Sequence, residues 1–257
     1  MSILEKMSLK GRVALVTGGS RGLGLQIAEG LGEVGASLVI SSRTPHELEQ
    51  AAAHLRSRDI QVHTVQGDIR RAEDARRWME EIRRVHGRLD ILVNNAAILM
   101  NLPAEQMSPE DFSRVVDTNL GGPFNVSQAA ARAFFIPQRD GRIINVSAVG
   151  GLMTIHSEGW RATAYSAAKA GLNHMTRTLA IEWAAHNIRV NCVCPGVFPT
   201  RMSAEPIAQA GEAFAQGTPL KRLGNEQDLK GICVLFASDA SSYITGQVIS
   251  VDGGMSV

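Results

Sequence analysis

Tyr165 and Lys169, in the stretch A-Y-S-A-A-K-A-G at 164–171, are the residues whose types and spacing point most directly to chemistry. Four positions apart on a helix, they project from one face. A phenol ordinarily ionises near pH 10, so at neutral pH it is a poor base unless a nearby cation favours the phenolate. Lys169 supplies that cation. The pair suits passing a proton to or from a carbonyl or alcohol oxygen while hydride moves at the adjacent carbon. The same spacing also suits a solvated helix face, so the surrounding elements must decide.

A hydride carrier is implied near the N-terminus. The motif T-G-G-S-R-G-L-G at 17–24 joins an apolar run to a helical pattern. A strand–turn–helix with so little side-chain bulk lets backbone approach a pyrophosphate, and the helix start offers free N–H groups and a positive dipole end. A triphosphate-binding loop would need Gly-Lys-Ser/Thr at its end, and Gly24-Leu25-Gln26 does not supply it. A tight turn with no ligand is the alternative. At the end of the second apolar run stand Ser41-Ser42-Arg43-Thr44, with no acid to hold the ribose 2′-hydroxyl of NAD. Arg43, Ser42 and Arg21 could instead converge on a 2′-phosphate through fork-shaped, charge-assisted hydrogen bonds, which favours NADP.

Runs rich in β-branched and aliphatic residues at 13–17, 37–41, 62–66, 91–94, 141–147, 188–193 and 247–251 read as buried strands. Helical periodicity fills 24–33, 46–58, 72–86, 112–135 and 165–186. This alternation predicts a parallel sheet covered on both faces. With no linker or composition shift, the whole of 1–257 reads as one domain. The segments 152–163 and 198–224 are irregular and long enough to be functional, and the second is expected to act as a substrate lid.

The 257 residues, 44% of them apolar, can bury a full core, which excludes disordered and disulfide-scaffold classes. A net charge of +1 with no basic block gives nothing to attract nucleic acid. No apolar stretch approaches the roughly 20 residues needed to cross a bilayer. The opening M-S-I-L-E-K-M lacks a signal-peptide pattern. Cys192, Cys194 and Cys233 show no metal-site or disulfide spacing, so no metal is expected and a reducing cytoplasm fits.

Together, T-G-G-S-R-G-L-G at 17–24, N-N-A-A at 94–97, Asn119, Y-S-A-A-K at 165–169, P-G-V-F-P-T at 195–200 and V-D-G-G at 251–254 resemble the short-chain dehydrogenase/reductase family, over essentially the whole chain from Leu9. The resemblance implies an α/β, three-layer Rossmann-type fold, a doubly wound parallel sheet of about seven strands in a single domain. It implies NAD(P)-dependent carbonyl/alcohol chemistry and a homotetramer or homodimer built through the long helices and the last strand. By position, Tyr165 resembles the general acid/base, and Lys169 the residue that holds the nicotinamide ribose and lowers the tyrosine pKa. Asn119 resembles the asparagine whose bent helix positions a water on the proton relay. Gly18, Gly22 and Gly24, with Ser20, Arg21 and Leu23 among them, would line the pyrophosphate. Asp68 and Ile69 would meet the adenine, and Asn94, Asn95 and Ala96 the adenosine side and ribose. Pro195, Gly196, Val197 and Thr200 would pack on the nicotinamide.

The pattern breaks after the fifth strand. Family members carry a serine there that hydrogen-bonds the substrate carbonyl, but in I-I-N-V-S-A-V-G-G at 143–151 that place holds Ala148, with Ser147 one residue early. One residue of slip turns a side chain to the opposite face, so Ser147 serves only if the turn begins early. Otherwise Thr154, Ser157 or a water must donate. The lengthened segment 152–163 carries His156, Glu158, Trp160 and Arg161, expected to shape the rim or a subunit contact. Met100, Leu152, Met153, Ile155, Phe198 and Met202 would make the pocket apolar, while Arg161 and Arg201 could meet an anionic group. The C-terminal segments resemble equally those of members reducing 3-oxoacyl thioesters and of members interconverting oxo and hydroxy sugar acids. A cofactor-binding sensor or scaffold with little catalysis is the rival class, motivated by Ala148.

Overall fold

Runs of β-branched residues can sit at the centre of a sheet only if both faces are covered, and helices on both sides do this here. The computed structural model describes residues 2–154 and 160–257. Among them, strands β1 (Val13–Thr17), β2 (Ser37–Ser42), β3 (Val62–Gln66), β4 (Ile91–Asn94), β5 (Gly141–Val146), β6 (Ile188–Pro195) and β7 (Val248–Val251) form one parallel sheet. Their order is β3-β2-β1-β4-β5-β6-β7. The helices are α1 (Ile3–Met7), α2 (Gly22–Glu33), α3 (Pro45–Arg56), α4 (Ala72–His86), α5 (Pro109–Val116), α6 (Gly122–Ala130), α7 (Ile136–Gln138), α8 (Thr163–Glu182), α9 (Ala204–Gly217) and α10 (Lys230–Ala237).

The pleat sorts successive strand residues into two cores. Ala14, Val16, Leu38, Ile40, Val93 and Ile144 pack with residues of α2, α3 and α10, while Val13, Leu15, Val39, Leu92 and Ile143 pack with α4, α6 and α8. Each large apolar side chain so buried contributes about 1.5–3 kcal/mol relative to exposure. The expected three-layer, single-domain arrangement of seven parallel strands is therefore present.

Some elements differ from the sequence reading. The stretch 112–135 is not one regular helix: two π turns, Asp117–Gly121 and Ala131–Phe135, interrupt the path from α5 through α6. The segment 198–224 contains α9. The eight-residue α10 escaped the periodicity argument because it is short and apolar nearly all round. No helix among the described residues is long and apolar enough to cross a membrane.

What positions the site is the reversal of strand order at β1, which pairs with β2 on one side and with β4 on the other. The next connections leave in opposite directions there, opening a crevice at the carboxyl ends of the strands. A buried chain of side-chain amides and hydroxyls fixes α8 against this sheet. Asn94 donates to the Ser127 hydroxyl and to Asn145 Oδ1, each at 2.9 Å, and Asn145 Nδ2 donates to Thr176 Oγ1 on α8 at 2.9 Å. Replacing Asn145 with Ala strands buried partners on both sides. The expected result is a loss of about 2–3 kcal/mol in urea denaturation; an unchanged midpoint would show that the chain does not tie helix to sheet.

Candidate functional site

Glycine is required where β1 meets α2. Gly18 has φ +63°, and a Cβ there would lie 2.9 Å from Ala96 Cα; a Cβ on Gly24 would lie 2.3 Å from the Gly18 carbonyl oxygen. The turn is thus pressed against the segment after β4. Thr17 Oγ1 accepts from the main-chain N–H of Asn95 at 3.0 Å and of Ala96 at 3.1 Å, and Asn95 Nδ2 donates to the Thr17 and Gly18 carbonyls. The start of α2 has no side-chain cap, since Arg21 at the N-cap position makes no capping bond. Its first N–H groups remain free for an anion.

These elements frame a cavity of about 860 Å³. It is lined by Gly18, Ser20, Arg21, Gly22 and Leu23 from the turn and α2, and by Ser42 and Arg43 after β2. Asp68, Ile69, Asn95 and Ala96 follow, with Ser147, Tyr165, Lys169 and Thr200 on the far wall. Gly24 lies behind this surface against Gly18, and Gly196 packs against Asp252 beyond Pro195, the last residue of β6. Pro195, Gly196 and Val197 are not among the lining residues, which here are Pro199, Thr200, Arg201 and Met202. The composition of this cradle, glycine backbone and a free helix start beside two arginines, fits a dinucleotide.

At the end of the cavity lined by Asp68, that carboxylate is held by Arg70 through a 2.6 Å ion pair, and the guanidinium keeps it below the usual carboxylate range. Arg43 is exposed beside the cavity. Arg21 pairs with Glu47 of α3, which also meets Arg201 at 3.4 Å. Glu47 is a neighbour the motif reading did not anticipate, because an acid four residues beyond Arg43 gives no sign of reaching back across the turn.

At the other end, Tyr165 and Lys169 lie on the buried face of α8, 8% and 2% exposed. The Lys169 ammonium stands 5.6 Å from the Tyr165 ring centre and donates to the Val146 carbonyl at 2.7 Å. Burial dominates both ionisations: it lowers Lys169 to about 8 and pushes the Tyr165 phenol above its ordinary value. The direction is opposite to the depression that the resemblance implied, because burial of the phenol outweighs the neighbouring ammonium. A neutral phenol is a proton donor, the form a carbonyl reduction needs.

Ser147 and Ala148 divide as the pleat requires. The Ser147 hydroxyl donates to the Lys169 carbonyl at 3.1 Å. Ala148, extended at φ −163° and ψ 156°, turns the other way and packs in the apolar cluster around Tyr165. Ile98, Leu99, Met100, Met107 and Trp160 belong to that cluster. Asn119, wholly buried within the first π turn, clamps the chain after β4: its Oδ1 accepts from Ile98 N at 2.9 Å and its Nδ2 donates to Ile98 O at 2.8 Å. Thr118, beside it, lines the cavity and was not anticipated. Ile155, His156, Ser157 and Glu158 lie outside the described residues.

A single α/β domain with this strand order and a glycine-cradled crevice at the reversal is a dinucleotide-binding protein of the Rossmann type. A family model described as enoyl-(acyl carrier protein) reductase matches residues 18–256. A gluconate 5-dehydrogenase of Gluconobacter oxydans is 34% identical, covering 100% of this chain and 99% of the relative. A 3-oxoacyl-(acyl-carrier-protein) reductase of Chlamydia trachomatis is 38% identical, covering 96% and 98%. The crystal structure of a gluconate 5-dehydrogenase from Burkholderia cenocepacia, in complex with NADP and tartrate, superposes with a TM-score of 0.92 at 32% identity, covering 99% of this chain and 98% of that one. The chain belongs to the short-chain dehydrogenase/reductase family.

Proposed function

We propose that the protein is an NADP(H)-dependent oxidoreductase that interconverts a ketone and a secondary alcohol. The observation that carries this reading is the buried Tyr165–Lys169 pair on the same cavity wall that faces the glycine turn. The dinucleotide supplies or accepts the hydride when bound. Gly18, Gly22 and the start of α2 hold its pyrophosphate, and Ser42, Arg43 and Arg21 face the 2′-phosphate, for which Arg21 must exchange Glu47 as its partner. Neutral Tyr165 gives its proton to the carbonyl oxygen, and Lys169 binds ribose hydroxyls and passes a replacement proton inward. Asn119, in its widened turn, holds the chain at Ile98 beside that relay. Pro195, Gly196, Val197 and Thr200 back the nicotinamide, and α9 with the rest of 198–224 covers the substrate. A carbonyl hydrogen bond from Ser147 requires its hydroxyl to leave the Lys169 carbonyl.

Substrate classes divide between 3-oxoacyl thioesters or other hydrophobic ketones and sugar acids, since relatives named for both kinds of substrate match over nearly the full length. The apolar cluster around Tyr165 supports the hydrophobic class. Exposed Ile249 on β7 with Tyr243, and exposed Phe112 and Phe124 along the α5–α6 face, support assembly as a homotetramer or homodimer. Three buried free thiols suit a reducing cytoplasm. The sensor reading has Ala148 in its favour and the intact Tyr165–Lys169 pair against it.

Purified protein mixed with NADPH and a panel of ketones is expected to oxidise NADPH. Tyr165→Phe should lower kcat by about 10²–10⁴-fold with NADPH affinity retained; full turnover by that variant would refute the proton step. Below about pH 8 Lys169 carries its charge, and above it the charge is lost. Reduction should therefore decline as pH rises through about 8, and a flat profile to higher pH would contradict the assigned role. Arg43→Asp should shift the ratio of kcat/KM for NADPH and NADH toward NADH, since a carboxylate repels the 2′-phosphate and suits a hydroxyl; an unchanged ratio would remove Arg43 from the cofactor site.

A further inference from the structure

Arg21 and Arg201 both line the cavity, one at the start of α2 and the other on the segment that leads into α9. Both donate to the same atom, Oε1 of Glu47 in the first turn of α3. Each contact runs through a single terminal nitrogen, Nη1, with that of Arg201 at 3.4 Å. One nitrogen on one shared oxygen neutralises charge, whereas orienting a guanidinium takes a two-point fork. The Glu47 side chain is 26% exposed against 52% for Arg21 and 78% for Arg201, so the carboxylate is the most enclosed member of the trio. Arg43, which also lines the cavity, differs. Its guanidinium makes no ion pair among the described residues, and its carbonyl accepts from Gln66 Nε2 at 3.2 Å. Of the two arginines assigned to the 2′-phosphate, only Arg21 starts with an anion already on it.

We propose that Glu47 is a specificity-determining residue for the dinucleotide: its carboxylate competes with the 2′-phosphate of NADP(H) for the Arg21 guanidinium and limits the preference for the phosphorylated carrier. The inference rests on the oxidoreductase reading, with Arg21 at the 2′-phosphate. A phosphate monoester brings about two negative charges to that guanidinium at neutral pH. If Glu47 stays, the two anions repel each other; if it withdraws, it gives up its contact with Arg21. Either way the penalty falls on NADP(H) and not on NAD(H), whose ribose hydroxyl at the same place is neutral. An acid at the end of β2 would hold that hydroxyl. Glu47 instead sits on the helix that follows and is not among the lining residues, so it opposes the phosphate without offering NAD(H) a hydrogen bond.

Glu47→Gln removes the charge and keeps the shape of the side chain. NADPH and NADH are titrated into the native chain and the variant at low salt, with binding read from nicotinamide fluorescence. The variant should bind NADPH roughly 2- to 5-fold more tightly, the range expected for a partly exposed ion pair, and NADH with unchanged affinity. The unchanged NADH affinity also reports that the variant is folded. The gain should shrink as salt is raised, because such charges are screened. In an Arg21→Ala background, where Arg43 remains to hold the phosphate, Glu47→Gln should leave NADPH affinity unaltered. An equal gain in that background would show that Glu47 acts through the general field of the surface, and would overturn the proposal. Weaker NADPH binding by Glu47→Gln would overturn it too, since the carboxylate would then support Arg21; so would no change, or an equal gain for NADH. A native chain that binds neither dinucleotide would sink the oxidoreductase reading and this inference with it. NADPH binding that Arg21→Ala leaves undiminished would overturn the inference alone.

Discussion

The site depends on a reciprocal clasp between the end of β5 and one turn of α8. Lys169 reaches down to donate its ammonium to the Val146 carbonyl, and the next strand-end residue, Ser147, reaches up to donate its hydroxyl to the Lys169 carbonyl. Side chain and main chain of one lysine are therefore both engaged by two consecutive residues. Such a pair of bonds fixes rotation of the helix as well as its distance from the sheet. Tyr165, one turn earlier, inherits that placement, as does the burial that keeps its phenol neutral.

The two ends of the cavity differ in their physics. At the end lined by Asp68 and Arg21 the charges are paired, Asp68 with Arg70 and Arg21 with Glu47. At the Tyr165 end Ser147 and Lys169 are buried and hydrogen-bonded, beside an apolar cluster that includes Ile98, Leu99 and Met100.

Much of this arrangement was legible in the sequence where function rests on local geometry. The glycine turn had to follow a strand and open a helix, and Tyr165 and Lys169 had to share a helix face; both need only a few consecutive residues. The pleat argument that set Ser147 and Ala148 on opposite faces also held, because the chain stays extended through Ala148. What remained illegible depends on tertiary neighbours: Glu47 crossing to Arg21, Asn119 holding Ile98 from a π turn, and the direction of the Tyr165 pKa. Burial and partner choice are properties of the assembled layers, and no spacing encodes them. The short α10 was missed for a related reason, since a helix apolar on nearly every side shows no stripe.

The first π turn holds one more residue than a regular helical turn, so it works as a spacer in the chain's angular register. Excising a single residue between 117 and 121 would let the ladder close, and everything on one side of the cut would rotate by about 100° relative to the other. Asn119 would swing off Ile98, or α6 would present a new stripe to the sheet. A homologue shortened at this bend should thus carry a matching change in whatever it sets against the strand that follows.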